Sequence, residues 1–465
     1  MVSTRPGCRL PPELVLKILS TCTPASLLTC SLVCRDWLPT CRSRLLEGCP
    51  LEIKCITQCD RFLALLDTGT SSTLLDHLKS LYLVISRGEW QSTAYGEHPR
   101  LSDERRGDSM VGYVDYIGEL AHRLKKRNVI EHLSLKTIPG IWGGHDLSVE
   151  GLFHGAFDFA SPIANTCLNI TNLQLSLTLP EEVTYVITYI CSFPRLESLS
   201  LIFTKLQAAP YLMTWTPSAY RLPLVTLNNL HLFVVFSTEQ PTAKDLWNGW
   251  MKTHPPLSLR LSHLSFVINI VQPRYTINPA RVLKLCNKQF LKVLRLQLVA
   301  QLRLSDIPDV DLLASKCASV FSHFGHLAHS YLSFWEIVID VSALTSLETL
   351  QIKILDVQCR ELSSSFIQLL ACIVRRISST ELRKLTVIID TPLDELDSPL
   401  VEEDWDSLDR AAHAFPSLPV VEVLMPLDSI NWDQNEKKVK EMFWRCWKDR
   451  RLVLRAHEES GKLWP

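Results

Sequence analysis

The chain lacks the marks of several large protein classes, and each absence narrows what it does. No run of about 18 uninterrupted apolar residues occurs, so a membrane span is not expected. The N-terminus has no charged start followed by an apolar stretch, so no secretory signal is expected. Neither sign of charge dominates: the formal net charge is −1, which gives no general attraction to nucleic acid or to an anionic membrane. Motifs that build active sites are missing as well. There is no phosphate-cradling Gly-x-x-x-x-Gly-Lys, no Gly-x-Gly-x-x-Gly, no Gly-x-Ser-x-Gly elbow and no His-Glu-x-x-His. The 14 histidines are dispersed without triad or metal spacing. The expectation is a chain that is not an enzyme and holds no cofactor.

Cysteine is present, yet its usual pairings are not. Of 15 cysteines, eight precede residue 60, and none forms a Cys-x-x-Cys pair. Cys30/Cys34 and Cys55/Cys59 sit four apart with no matching His pair, so free buried thiols acting as small hydrophobes are favoured over zinc. Reduced thiols fit a cytoplasmic or nuclear setting.

What the chain does have is apolar material in quantity. Hydrophobic residues make up 46% and charged residues 21%, the balance of an ordered globular chain. A length of 465 residues exceeds one ordinary core, which points to two domains or an elongated repeat array.

The most informative stretch lies near the N-terminus. Leu10-Pro11-Pro12-Glu13-Leu14 opens a helix, since proline suits a first turn where its missing N–H costs nothing. Leu14, Ile18 and Leu19 follow as an apolar stripe. Thr23 is placed to cap a second helix with Pro24 at its first position, carrying Leu27, Leu28, Ser31 and Leu32. Val33, Cys34 and Trp37 form a third apolar group. So short a stretch cannot close a stable core alone, and much of its apolar surface should be buried against another surface.

In these residues the sequence resembles the F-box family, and its C-terminal pattern is similar to that of fungal, basidiomycete-type F-box proteins. The match rests on Leu10, Pro11, Glu13-Leu14, Ile18, Leu19, Leu27-Leu28, Val33-Cys34-Arg35 and Trp37, under a tenth of the chain. The wider likeness rests on Leu-rich strands, Phe415-Pro416-Ser417-Leu418 and a basic final helix. The resemblance implies a substrate receptor of a Skp–cullin–F-box ubiquitin ligase. On that reading Leu10, Pro11, Glu13, Leu14, Ile18, Leu19, Leu27, Leu28, Leu32, Val33, Cys34 and Trp37 dock a Skp-type adaptor, and through it a cullin. The alternative is a binding scaffold whose N-terminal helices only cap a solenoid.

Beyond residue 70 one phrase recurs, apolar-x-x-apolar-x-apolar. Copies include Leu78/Leu81/Leu83, Ile130/Leu133/Leu135, Ile170/Leu173/Leu175, Leu196/Leu199/Leu201, Leu227/Leu230/Leu232, Leu261/Leu264/Phe266 and Leu291/Leu294/Leu296. Later copies are Leu347/Leu350/Ile352 and Leu382/Leu385/Val387, with a weaker echo at Leu418/Val421/Val423. From Ile170 to Leu291 the steps are 26, 31, 34 and 30 residues, uneven but sensible for a degenerate leucine-rich repeat. A 56-residue step from Leu291 to Leu347 hides a further unit, which Ile337-Val338-Ile339 could supply. Helical stripes at Val114/Ile117/Ala121/Leu124, Val183/Val186/Ile187/Ile190 and Phe366/Leu369/Leu370/Ile373/Ile377 separate the phrases. The Asn ladder of regular repeats is nearly absent.

The expected architecture is therefore α/β: a three-helix module at 8–47, an irregular leucine-rich-repeat-like solenoid of parallel strands and crossover helices at 48–430, and a basic amphipathic helix and tail at 431–465. Loops are expected at 88–110, 139–165, 205–224 and 237–258. Residues between repeat leucines would line the open face, where Ile202, Phe233 and Val267, with His231 and Arg295, are candidates for gripping an unknown protein target. Runs such as Leu232-Phe233-Val234-Val235-Phe236 equally suit a strand covered on both sides. Near the end an acidic stretch, Asp394 to Asp409, faces a basic one, Lys437 to Arg455. The basic stretch reads either as a patch for nucleic acid or an acidic partner or, favoured over that, as a closing cap with Val439, Met442, Phe443, Cys446 and Trp447 on one face and its charges solvated.

Overall fold

The computed structural model describes residues 11–33, 37–48, 50–67, 78–86, 109–125, 130–138, 162–177, 181–207, 225–236, 257–269, 282–283, 290–299, 341–355, 360–389, 399–415, 418–426 and 432–457. The chain forms two compact units, Met1–Val225 and Thr226–Pro465. Their boundary falls inside the segment that periodicity treats as one array.

The first unit opens with three helices, α1 (Pro12–Ser20), α2 (Pro24–Val33) and α3 (Leu38–Gly48). Strands and crossovers follow: β1 (Leu51–Ile53), α4 (Ile56–Asp67), β2 (Ser80–Ser86), α5 (Ser109–Lys125), β3 (His132–Ile138), β4 (Asn172–Leu177), β5 (Glu181–Glu182), α6 (Val183–Cys191) and β6 (Ser198–Gln207). The strands pair in parallel in the order β1-β2-β3-β4-β6, and β5 adds a short pair to β6.

The repeat phrases stand in register. Leu81 faces Leu133, Leu133 faces Leu173, and Leu173 faces Leu199; two residues on, Leu83, Leu135, Leu175 and Leu201 align likewise. All eight are buried, as are the leading positions Leu78, Ile130, Ile170 and Leu196. The residue after each leading position begins the ladder, with the Glu131 N–H donating to the Lys79 carbonyl, Thr171 to Glu131, and Glu197 to Thr171. An irregular spacing in sequence thus becomes a regular stack in space, because loop length does not alter the register of paired strands.

The second unit carries β7 (Val225–Phe236), β8 (Leu257–Asn269), β9 (Val293–Val299), β10 (Thr349–Leu355), α7 (Arg360–Arg375), β11 (Lys384–Ile389), α8 (Pro399–His413), β12 (Val420–Pro426), α9 (Trp432–Met442), α10 (Trp444–Lys448) and β13 (Leu452–His457). Strands β7 to β13 lie in sequence order, and β8 through β13 pair in parallel. Leu264, Leu294, Leu350, Leu385, Val421 and Leu452 form one aligned row. Helices α7 and α8 pack side by side, and α8 packs in turn on α10. Their apolar faces are buried, notably Leu370, Ile373, Trp405 and Leu408. Strand, crossover helix and parallel strand together make the α/β core.

Three expectations meet a different outcome. Strand β9 pairs directly with β10, Val293 against Thr349, so the 56-residue step inserts no strand between them. Ile337-Val338-Ile339 lie outside the described residues. The basic C-terminal segment is two helices and a strand, because Phe443 breaks the helix at φ −110° and β13 then adds to β12. Its repeat phrase was hidden because Asp449 occupies the leading position. Finally, β6 and β8 extend into the segments read as loops, whose remainders at 88–108, 139–161, 208–224 and 237–256 lie outside the described residues.

Candidate functional site

The N-terminal helices are shaped by local chemistry. Pro11 precedes α1, and the Leu14 and Val15 N–H groups donate back to its carbonyl. Thr23 Oγ1 accepts the Ser26 N–H at 3.2 Å, which caps α2 as its position before Pro24 implies. The Cys41 N–H donates to the Trp37 carbonyl at 2.8 Å and opens α3. Both α1 and α2 pack on α3.

These helices enclose a very small core of Leu19, Leu27 and Cys41, against which Val15, Cys22, Cys30, Trp37 and Leu45 pack partly buried. The inward residues follow helical spacing: Val15 and Leu19 on α1, Leu27 and Cys30 on α2. Their neighbours point elsewhere. Leu14, Leu16 and Ile18 remain exposed on α1, and on α2 Leu28 and Leu32 are 58% and 88% exposed. Helix α2 carries no charged residue in its ten positions, and its polar groups are the hydroxyls of Ser26, Thr29 and Ser31. Exposed apolar side chains grouped in this way mark a surface that a second one covers. Covering these five exposed Leu and Ile side chains offers on the order of 5 kcal/mol before association entropy is counted.

The sequence-derived docking set is therefore divided. Leu14, Ile18, Leu28 and Leu32 present apolar surface, with Pro11 and Glu13 exposed beside them. Leu19 and Leu27 are turned inward at 1% and 5% exposure, and Trp37 is half-buried on the same core. Leu10, Cys34 and the side chain of Val33 lie outside the described residues. Leu16 was missed by sequence reasoning because it falls off the Leu14/Ile18 stripe.

Three thiols of this region are pushed upward. Burial, then the neighbouring Cys30 thiol, raises Cys22; burial also raises Cys41. Burial, with Asp60 and Cys55 adding to it, pushes Cys59 up to about 12. Among the described residues no group of three His, Cys, Asp or Glu side chains could hold a metal ion. Nor is any described helix long and apolar enough to cross a membrane.

Residues 8–46 match the family model described as F-box-like. The chain carries an F-box-like domain. The matched residues span α1, α2 and most of α3. No curated protein matches the chain.

The open-face candidates of the strands are placed differently from the exposed leucines of the F-box-like domain. Ile202 and His231 are buried, Phe233 and Arg295 are half-buried, and the side chain of Val267 lies outside the described residues. The same face of the second unit buries Gln297, Lys353, Thr386 and Glu422. Glu422 Oε2 accepts from Thr386 Oγ1 at 3.2 Å and pairs with Lys384 at 2.6 Å, while Oε1 pairs with Arg455 at 3.4 Å. Burial, and second the charge of Arg295, lowers His231 to about 4. This face is thus largely buried, with Phe233 and Arg295 keeping part of their surface, which goes part of the way toward the doubly covered strand that the run Leu232 to Phe236 suits.

The C-terminal charge contrast resolves into a lock. The buried carboxylate of Asp409 on α8 accepts the backbone N–H groups of Arg445 at 2.8 Å and Cys446 at 3.1 Å, capping α10 from another helix. Arg445 also pairs with Asp406 and Asp409, and His413 Nε2 lies 2.8 Å from Asp449 Oδ2. Phe443 packs edge-on against Trp405 with ring centroids 5.5 Å apart. Among the described residues, Arg445 is the basic side chain that joins the two stretches, through Asp406 and Asp409.

Proposed function

We propose that the chain is a substrate-receptor subunit of a Skp–cullin–F-box ubiquitin ligase. The F-box-like domain docks a Skp-type adaptor, and through it a cullin, while the strand-and-helix body presents a protein target. The observation that carries this reading is the uncovered apolar surface of α1 and α2 within the matched residues, Leu28 and Leu32 above all. A helix that only capped its own solenoid would turn those two leucines inward.

On this reading the chain acts by proximity. Holding a target lysine near a charged conjugating enzyme raises its effective concentration, and this chain contributes no reacting group. It is a binding subunit, not a catalyst, and it works in the cytoplasm or nucleus without a cofactor.

Co-purification tests the proposal. Wild-type chain and a Skp-type adaptor, mixed at micromolar concentration, are expected to elute together. Leu28→Glu and Leu32→Glu are each expected to weaken the complex at least about 30-fold, as loss of a central apolar contact does. Both side chains are exposed, so the variants should keep the wild-type melting temperature. Separate elution of the wild-type chain and adaptor would leave only the scaffold reading.

A further inference from the structure

In a stacked α/β array each unit covers the one before it, so the last described unit shows its outer face. Here the helix order α7-α8-α10 runs in step with the strand order β11-β12-β13, so α10 and β13 form the outer limit of the second unit. Such a terminal surface is normally polar, which keeps it from pairing with other chains.

This one is not. Phe443 and Cys446 point toward α8 and are buried, while Trp444 and Trp447, one turn apart on the outer side of α10, are 52% and 42% exposed. Their ring centroids stand 5.2 Å apart with planes tilted by 44°, a paired aromatic surface. Beyond them β13 offers Leu452, Val453 and Leu454 half-buried, with no strand on its outer edge among the described residues. Exposed tryptophans beside an open strand edge are the residues that carry energy in protein interfaces.

The charge around the pair is mixed, and its cations are the less committed part. Lys448 and Arg450 are exposed and form no ion pair among the described residues. The nearby acids are already engaged, Asp449 by His413 and Arg451, and Glu441 by Lys437. Arg450 also sits at φ 60°, where its N–H donates to the Trp447 carbonyl and the next N–H, of Arg451, donates to the Cys446 carbonyl. That is the helix-ending turn in which glycine is favoured, so an arginine there holds its backbone at a cost glycine would avoid.

From these observations we infer that the end surface built by Trp444, Trp447, Lys448, Arg450 and the free edge of β13 binds an acidic protein segment carrying bulky apolar side chains. The indoles take the apolar side chains, and the two uncommitted cations take the carboxylates. A second copy of this chain is disfavoured as occupant, because it would bring the same cations against themselves. The inference does not depend on adaptor docking, which uses the other end of the sequence.

Fluorescence anisotropy on the full chain tests this with a labelled eight-residue peptide alternating Glu-Asp and Leu-Phe pairs. Saturable binding is expected, weakened at least tenfold in Trp444→Ala/Trp447→Ala and at least tenfold in Lys448→Glu/Arg450→Glu. The second variant decides the matter if the first fails to fold. Replacing Glu and Asp by Lys in the peptide should abolish binding, and Arg450→Gly should weaken it while raising the melting temperature. Absence of binding, equal binding by every variant, or tighter binding of oligothymidylate than of the peptide would overturn the inference. So would binding seen only after residues 458–465 are removed, since that would assign the surface to the chain's own tail.

Discussion

Asp409 shows how much a single side chain decides. Its carboxylate is buried and satisfies two backbone N–H groups that α10 could not otherwise pair inside the protein. Asp409→Ala leaves those two donors without their acceptor, while the Arg445 guanidinium keeps Asp406, and is expected to cost about 3 kcal/mol in urea unfolding. A loss below about 1 kcal/mol would mean that water replaces the cap without penalty. Arg450→Gly should move stability the other way by about 1 kcal/mol, since it relieves a left-handed backbone position. His231 gives a pH signature. Its folded value, about 4, lies below the 6.5 of the free side chain, so the unfolded chain binds the extra proton between those values. The neutral imidazole's contribution is complete above pH 6.5 and is lost as pH falls toward 4, up to about 3 kcal/mol. His231→Leu should therefore flatten the melting temperature's dependence on pH in that window, and an unchanged slope would show that His231 is solvated.

At the scale of elements, helix α2 separates two kinds of leucine that look alike in sequence. Leu27→Ala removes a core side chain and is expected to destabilise the domain by about 2–5 kcal/mol, read by urea denaturation. Leu28→Glu and Leu32→Glu should leave folding intact and act only on association. Periodicity placed all of them on one stripe and could not say which were inward, because α2 has no charged residue to mark its solvent side. Caps were easier to read. Thr23 before Pro24 fixes the start of α2, and the stripes at Ile117/Ala121/Leu124 and Val186/Ile187/Ile190 mark buried faces of α5 and α6. The last strand was not legible, since β13 lacks a leading apolar residue and its place is set by pairing with β12.

For the whole molecule, the α/β class and the parallel strands follow from the recurring phrase, because each copy needs a neighbour in register to bury its leucines. The fold of the strand face was less legible: a residue between two leucines can face solvent or a covering segment, and nothing local distinguishes Gln297 or Thr386 from an exposed polar residue. The F-box-like domain is the opposite case, since there the exposed apolar surface is itself the signal. Hydrogen–deuterium exchange of the full chain with and without a Skp-type adaptor tests this account most directly. The account predicts that slowed exchange on adding adaptor is confined to residues 11–48, with segments 360–389 and 432–457 unchanged. Unaltered exchange across 11–48, or protection arising only in the strands of the second unit, would contradict it.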